Sequence, residues 1–113
     1  MMKAATKQTI KAVVDEAWQG GALNELKNYV RMPCKSKDFD VDWEANGFLL
    51  QVCRNAAAWG RRLFPEAVFE ILADPGRTPA LFFDIPASGK DNEKAVFFYG
   101  HFDKQPEGEG WSI

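Results

Sequence analysis

The spacing of apolar positions predicts helices in the first half of the chain. Apolar residues recur at helical intervals from about Ala4 to Gln19 and again from Ala22 to Met32. The Gly20–Gly21 pair separates the two stretches, and Pro33 ends the second one. The sequence therefore opens with two helices.

A seven-residue stripe predicts a longer third helix. It begins near Asp40 or Asp42, either of which can cap it, and runs to Phe64. The stripe consists of Trp43, Leu50, Ala57 and Phe64. It is too short for a coiled coil, so we expect it to pack this helix onto a sheet.

The second half of the chain changes to strand patterns. Segments Ala67–Ala73 and Ala80–Ile85 flank the turn-forming stretch Asp74–Pro79, which predicts an antiparallel hairpin. A third segment, Ala95–Tyr99, is apolar at every position and is typical of an interior strand buried on both faces. The predicted fold class is α/β, with N-terminal helices packed on a small mixed sheet of about three strands.

Composition narrows the class of protein. The 113 residues predict a single domain covering 1–113, and 46% hydrophobic residues suffice for a core. A net charge of −2 provides no basic face for nucleic acid, and the apolar runs are too short to span a membrane. Cys34 and Cys53 stand alone, so we expect free thiols in a core or loop and a cytoplasmic location.

Candidate chemistry follows the third predicted strand. Gly100 precedes the only histidine, His101, and Asp103 lies two residues later. At the carboxyl end of a strand, such a pair suits a zinc ligand with a carboxylate behind it. It also suits a hydrolase relay with a nucleophile, for which the candidates are Ser36, Ser88 and Cys34. A surface histidine that only makes hydrogen bonds is the third interpretation of these residues.

The segment Phe98–Glu107 (FYGHFDKQPE), followed by Gly110–Trp111, resembles the first metal-binding motif of the co-catalytic zinc metallopeptidases. These are the relatives of aminoacylase, carnosine dipeptidase, succinyl-diaminopimelate desuccinylase and glutamate carboxypeptidase. The resemblance covers essentially the whole chain and only the N-terminal part of that family. Lys104–Pro106 departs from the more usual valine-containing motif, which favours a dipeptidase-like branch. Upstream segments occur in the order found in those enzymes: Met32–Ser36, Asp42–Trp43, Pro75–Pro79 and Phe82–Pro86.

The resemblance implies a role for each residue of the pair. His101 would be a ligand to one zinc of a two-metal site, and Asp103 would act in catalysis by orienting its imidazole. The substrate would be a peptide or an N-acyl amino acid, whose amide carbonyl is attacked by a metal-activated water. The remaining ligands and the general base of the family lie downstream of this motif. We therefore expect this chain to be inactive alone, as a fragment of a longer enzyme or a truncated non-catalytic homologue.

The third predicted strand also bears on association. A sheet of about three strands that ends in an apolar strand leaves an edge able to pair with another chain. We therefore expect a homo-oligomer.

Overall fold

The computed structural model of the chain describes residues 6–89 and 94–112. These residues form helices followed by an antiparallel pair of strands, which confirms the mixed α/β class. They fall into two compact units that divide between Met32 and Pro33. The single domain expected from the sequence stays a prediction.

The first unit contains the two helices predicted at the start of the chain. Helix α1 spans Lys7–Ala17 and helix α2 spans Leu23–Arg31, which ends two residues before Pro33. Between them lies a π-helical turn, Trp18–Ala22, in which Gly21 leaves helical geometry with a φ of 156°. Gly21 therefore introduces a kink between the two helices, and both predicted helices are confirmed.

The second unit begins with a loop, a 3-10 turn at Lys37–Phe39 and two consecutive helices. Helix α3 spans Trp43–Asn46, and helix α4 spans Phe48–Leu63. The prediction of one uninterrupted helix here is wrong at Gly47. Its φ of 72° lies in the left-handed region that favours glycine, so it ends α3 before α4 begins.

The predicted hairpin is confirmed. Strand β1 (Val68–Leu72) pairs antiparallel with strand β2 (Ala80–Asp84). In this register Phe69 lies opposite Phe83, and the two rings stack with centroids 5.6 Å apart. The chain reverses in a turn at residues 74–77, where the Arg77 N–H donates to the Asp74 carbonyl at 3.1 Å.

Helix α4 packs against the hairpin, as its apolar stripe predicts. A Cβ placed on Gly60 would lie 2.3 Å from Cε1 of Phe69, so glycine permits this close approach. Next to it, the Arg61 guanidinium donates to the carbonyl of Phe69 at 3.1 Å. Among the residues of this unit that the structure describes, the buried ones are Cys34, Leu49, Val52, Cys53 and Ala57.

The segment Ala95–Tyr99, called the apolar segment below, differs most from expectation. It has no regular secondary structure, and the sheet in the described part of the chain is two-stranded and antiparallel. Its four large side chains are 80–86% exposed, so the expected burial is wrong. An interior strand needs backbone partners, and residues 95–100 make no backbone hydrogen bond with any other described residue. A mixed sheet of about three strands is therefore not confirmed.

Candidate functional site

Two backbone hydrogen bonds hold the loop that follows His101. The Lys104 N–H donates to the carbonyl of Cys34, and the Ser36 N–H donates to the carbonyl of Lys104, both at 2.9 Å. Together they form a short parallel bridge between Lys35 and Lys104. Residues 101–107, called the tethered loop below, are thereby fixed to a segment nearly seventy positions earlier.

Side chains reinforce this attachment. The Cys34 thiol, which is fully buried, donates to the carbonyl of Phe102 at 3.5 Å. The Lys35 ammonium lies 3.2 Å from a carboxylate oxygen of Glu107. The indole N–H of Trp111 donates to the backbone carbonyl of the same glutamate. Contacts on both sides of Lys104 therefore hold the tethered loop.

Within the tethered loop, the structure brings the two predicted site residues together. Nδ1 of His101 lies 3.0 Å from Oδ1 of Asp103 and 2.8 Å from the backbone oxygen of the same residue. Both oxygens are acceptors, so Nδ1 carries the proton in the neutral imidazole and Nε2 keeps its lone pair. The His101 side chain is 71% exposed, which leaves Nε2 accessible to a ligand.

The cysteines occupy inert positions. Both are free and buried, as the sequence predicts. Burial raises the pKa of the Cys34 thiol, against an opposing effect from the nearby Lys104 ammonium. Burial also raises the pKa of Cys53. Reactive and metal-binding cysteines are thiolates in accessible positive surroundings, so these two residues have a packing role.

Glu107 is the last residue of the tethered loop, and its carboxyl has a lowered pKa. The largest cause is a hydrogen bond from its own backbone N–H, followed by the hydrogen bond and the charge of Lys35. Glu107 therefore stays ionised and paired with Lys35 at neutral pH.

The described residues do not assemble a full metal site. Among residues 6–89 and 94–112, no group of three or more His, Cys, Asp or Glu side chains is placed to hold a metal ion. The contact between His101 and Asp103 is therefore a pair of such side chains and not part of a larger described group.

Sequence reasoning found the His101–Asp103 pair but missed the attachment of its loop. The pair is readable because its members are two residues apart. The contacts of Cys34 and Ser36 with this loop join segments far apart in sequence, and no local pattern predicts such contacts. The sequence offered one signal for this attachment: Met32–Ser36 and the histidine motif are both among the segments on which the predicted family resemblance depends.

The second unit also contains an open cleft of about 210 Å³. Glu44, which lines this cleft, accepts a hydrogen bond from the Gly76 N–H at 2.6 Å. This bond links α3 to the hairpin turn, so the glutamate serves the fold. The cleft is lined by Trp43, Glu44, Gly47, Leu50, Ala73, Asp74, Pro75, Arg77 and Pro79.

Comparison with known proteins assigns no family. No protein-family model matches this sequence, and no curated protein is similar to it. Among the described helices, none combines the length and apolarity that crossing a bilayer requires.

Proposed function

We propose that this chain supplies one histidine ligand, with its orienting carboxylate, to the zinc site of a peptidase that cleaves dipeptides or N-acyl amino acids. One observation carries the proposal: Nδ1 of His101 faces two oxygens of Asp103, at 2.8 and 3.0 Å. A metal-ligating histidine commonly donates its second ring N–H to a carboxylate or carbonyl in this way. The arrangement leaves Nε2 as the ligand atom.

The tethered loop favours this function over that of a simple surface histidine. Asp103 directly precedes Lys104, whose N–H and C=O are both bonded to the 34–36 segment. The carboxylate is therefore attached to a fixed backbone, and it holds one ring orientation of His101. Fixed orientation is what a metal ligand requires and what a solvated surface histidine does not need.

The donor chemistry fits zinc at one position. Neutral imidazole is a common zinc ligand, and a catalytic zinc takes about three protein ligands. Bound zinc would polarise an amide carbonyl and make a bound water nucleophilic at neutral pH. The contribution of this chain is to hold the imidazole, fix its tautomer and place Asp103 behind it. We expect the chain alone to bind zinc weakly and to cleave no substrate.

The nucleophilic hydrolase interpretation gains no support from the candidate thiol. Cys34 is fully buried, its thiol donates to the carbonyl of Phe102, and its pKa is raised. All three properties oppose formation of an attacking thiolate.

Zinc binding by the full chain tests the proposal. A competition titration against a chromophoric chelator would give the affinity, and nitrogen NMR would identify the imidazole nitrogen that binds. We expect coordination through Nε2, loss of binding in His101→Ala and a roughly 10- to 100-fold weaker affinity in Asp103→Asn. Asp38→Asn, an exposed carboxylate on the 3-10 turn, is the matched control and should leave the affinity unchanged.

Two results would overturn this proposal. One is zinc affinity that survives His101→Ala, which would place the metal elsewhere. The other is coordination through Nδ1, which would mean that the contact with Asp103 is not a support for the ligand. Turnover of a dipeptide by the chain alone would instead contradict the expectation that further ligands are needed.

A further inference from the structure

The sequence contains one Asn–Gly bond, Asn46–Gly47, and it lies between helices α3 and α4. An asparagine deamidates when the backbone nitrogen of the next residue attacks its side-chain amide carbon. Glycine leaves that nitrogen unhindered, because it has no side chain. Each of the other four asparagines precedes a residue that has a side chain: Asn24, Asn28, Asn55 and Asn92. The bond most prone to deamidation therefore lies at the break between two helices.

The side chain of Asn46 is held by Asp40. Its amide nitrogen lies 3.1 and 2.9 Å from the two carboxylate oxygens of Asp40 and donates to both. The same carboxylate accepts from the backbone N–H of Asp42 at 3.1 Å, and the Asp40 carbonyl accepts from that of Trp43 at 3.2 Å. Asp40 is therefore attached to the first turn of α3, and hydrogen bonds to its ionised carboxylate are stronger than neutral ones.

The backbone at Asn46 also opposes the reaction. The Asn46 N–H donates to the carbonyl of Asp42 at 2.8 Å, and the Gly47 N–H donates to the carbonyl of Trp43 at 3.1 Å. The second of these bonds engages the nitrogen that would attack. The ring that forms contains the Asn46 carbonyl carbon and the Gly47 nitrogen, so it closes only when ψ of Asn46 leaves the α-helical range. Ring closure therefore requires the end of α3 to open.

We propose that Asn46 is a deamidation site that Asp40 keeps closed, so that the reaction proceeds only when α3 opens locally. In the open state the Gly47 nitrogen bonds to the side-chain amide carbon of Asn46. The bond from that carbon to Nδ2 breaks, and Nδ2 leaves as ammonia with the proton of the Gly47 nitrogen. Water then adds to one of the two carbonyl carbons of the succinimide, which gives aspartate or isoaspartate. This inference does not depend on the zinc proposal, because its test measures neither metal binding nor activity.

Deamidation at this position would weaken the link between α3 and the hairpin turn. Each product replaces the amide donor with a carboxylate that faces the carboxylate of Asp40, and like charges at this distance repel. Glu44, in the same short helix, accepts from the Gly76 N–H. Asn46→Asp imitates the aspartate product, so the Gly76 amide should exchange with solvent faster in this variant than in the wild type. An unchanged exchange rate would refute this link.

The rate of deamidation in the folded chain tests the protective role of Asp40. The full chain is incubated at mildly alkaline pH, and peptide mass spectrometry that resolves isoaspartate gives the rate at Asn46. We expect a rate about 50-fold or more below that of the chain denatured in guanidinium chloride, because opening must precede the reaction. Asp40→Ala removes hydrogen bonds to a charged acceptor and should raise the rate in the folded chain by about tenfold.

Three further variants serve as controls. Asp38→Ala removes an exposed carboxylate on the 3-10 turn and should leave the rate unchanged. Asp40→Asn keeps an acceptor but loses the charge, so it should give an intermediate rate. Asn46→Gln lengthens the side chain and makes the ring larger, so the product should disappear from this position.

Amide exchange distinguishes local opening from loss of the fold. In Asp40→Ala, the Gly47 amide should exchange faster, while the amides of Val52 and Cys53, which are buried in α4, should keep their wild-type rates. This measurement keeps the test valid if the variant is less stable overall.

Three outcomes would overturn the inference. The first is deamidation of Asn46 in the folded wild type as fast as in the denatured chain, which would mean that the fold gives no protection. The second is an equal rate in Asp40→Ala and Asp38→Ala, which would mean that Asp40 is not the protecting group. The third is a faster rate in Asp40→Ala together with equally faster exchange throughout α4, which would assign the effect to global unfolding.

Discussion

The apolar segment and the tethered loop are adjacent in sequence, yet they differ in almost every structural respect. The apolar segment, before Gly100, has exposed side chains and no backbone partner among the described residues. The tethered loop, after it, has two backbone hydrogen bonds to the 34–36 segment, a thiol hydrogen bond and an ion pair. The more hydrophobic of these two segments is therefore the one with fewer contacts to the rest of the described chain.

The difference shows what holds a candidate site in place. Burial of apolar surface stabilises a segment only when other surface covers it. In the part of the chain that the structure describes, the side chains of Val96 to Tyr99 stay largely uncovered. A few backbone and side-chain bonds suffice to position the polar loop, because each one satisfies a group that would otherwise need water. In this structure, Asp103 is therefore placed by the Cys34–Ser36 segment rather than by a strand.

Cys34→Leu should reduce the difference between the two segments most, because it weakens the attachment of the tethered loop. The native side chain has no exposed surface, so the larger leucine must displace its neighbours and remove the bond to the Phe102 carbonyl. We expect a loss of about 1–3 kcal/mol in the free energy of unfolding, measured by urea denaturation. The amide of Lys104 should also exchange faster, as the tethered loop comes to behave like the apolar segment.

Cys34→Ser provides the control for that substitution. Serine is close in size and keeps a donor near the carbonyl of Phe102, so it should cost clearly less than leucine. If the two variants were equally stable, packing around Cys34 could not be what holds the tethered loop.

The second prediction removes a single backbone hydrogen bond. Ser36 has a φ of −53°, which proline can adopt, so Ser36→Pro deletes its N–H with little change in backbone geometry. The carbonyl of Lys104 then loses this donor, and we expect a loss of about 1–2 kcal/mol in urea denaturation. Ser36→Ala keeps the N–H and should cost much less; equal losses would assign the effect to the serine hydroxyl.

How much the sequence predicts depends on the range of the interactions involved. The hairpin was predictable because the turn chemistry at Asp74–Pro79 and the flanking strand patterns are local. The His101–Asp103 contact was predictable for the same reason. The break at Gly47 depends on a single left-handed residue, which a seven-residue stripe hides.

The remaining misses are long-range. The predicted third strand came from hydrophobicity alone, and a strand also needs neighbours that a local pattern does not specify. The attachment of Lys104 to Cys34 and Ser36 joins residues far apart in sequence, so it could be seen only in three dimensions. Local chemistry therefore predicted which residues form the candidate site, but not what supports them.

A smaller, pH-dependent effect should come from Glu107. The pKa of this carboxyl is lowered from an ordinary value of 4.5, first by its own backbone N–H and then by Lys35. A lowered pKa in the folded state adds stability above that ordinary value, and this stability is lost as the pH falls through the lowered pKa. In a carbon NMR titration, Lys35→Met should raise the pKa of Glu107 only part of the way to 4.5, because the backbone hydrogen bond remains.

Lys37→Met is the control for the titration, since Lys37 follows Lys35 by two residues and lies on the exposed 3-10 turn. An equal rise in both variants would mean that Glu107 responds to the general positive charge of the region rather than to its contact with Lys35.

The smallest effect is expected in the apolar segment itself. At concentrations low enough for a monomer, Phe98→Ser should change the free energy of unfolding by less than about 0.5 kcal/mol, because the ring is 82% exposed. Val52→Ser, at a position 4% exposed in α4, should by contrast cost at least about 2 kcal/mol. Urea denaturation of both variants measures the two effects in one series. A large loss from Phe98→Ser would show that the segment is buried within its own chain, and the contrast with the tethered loop would then fail.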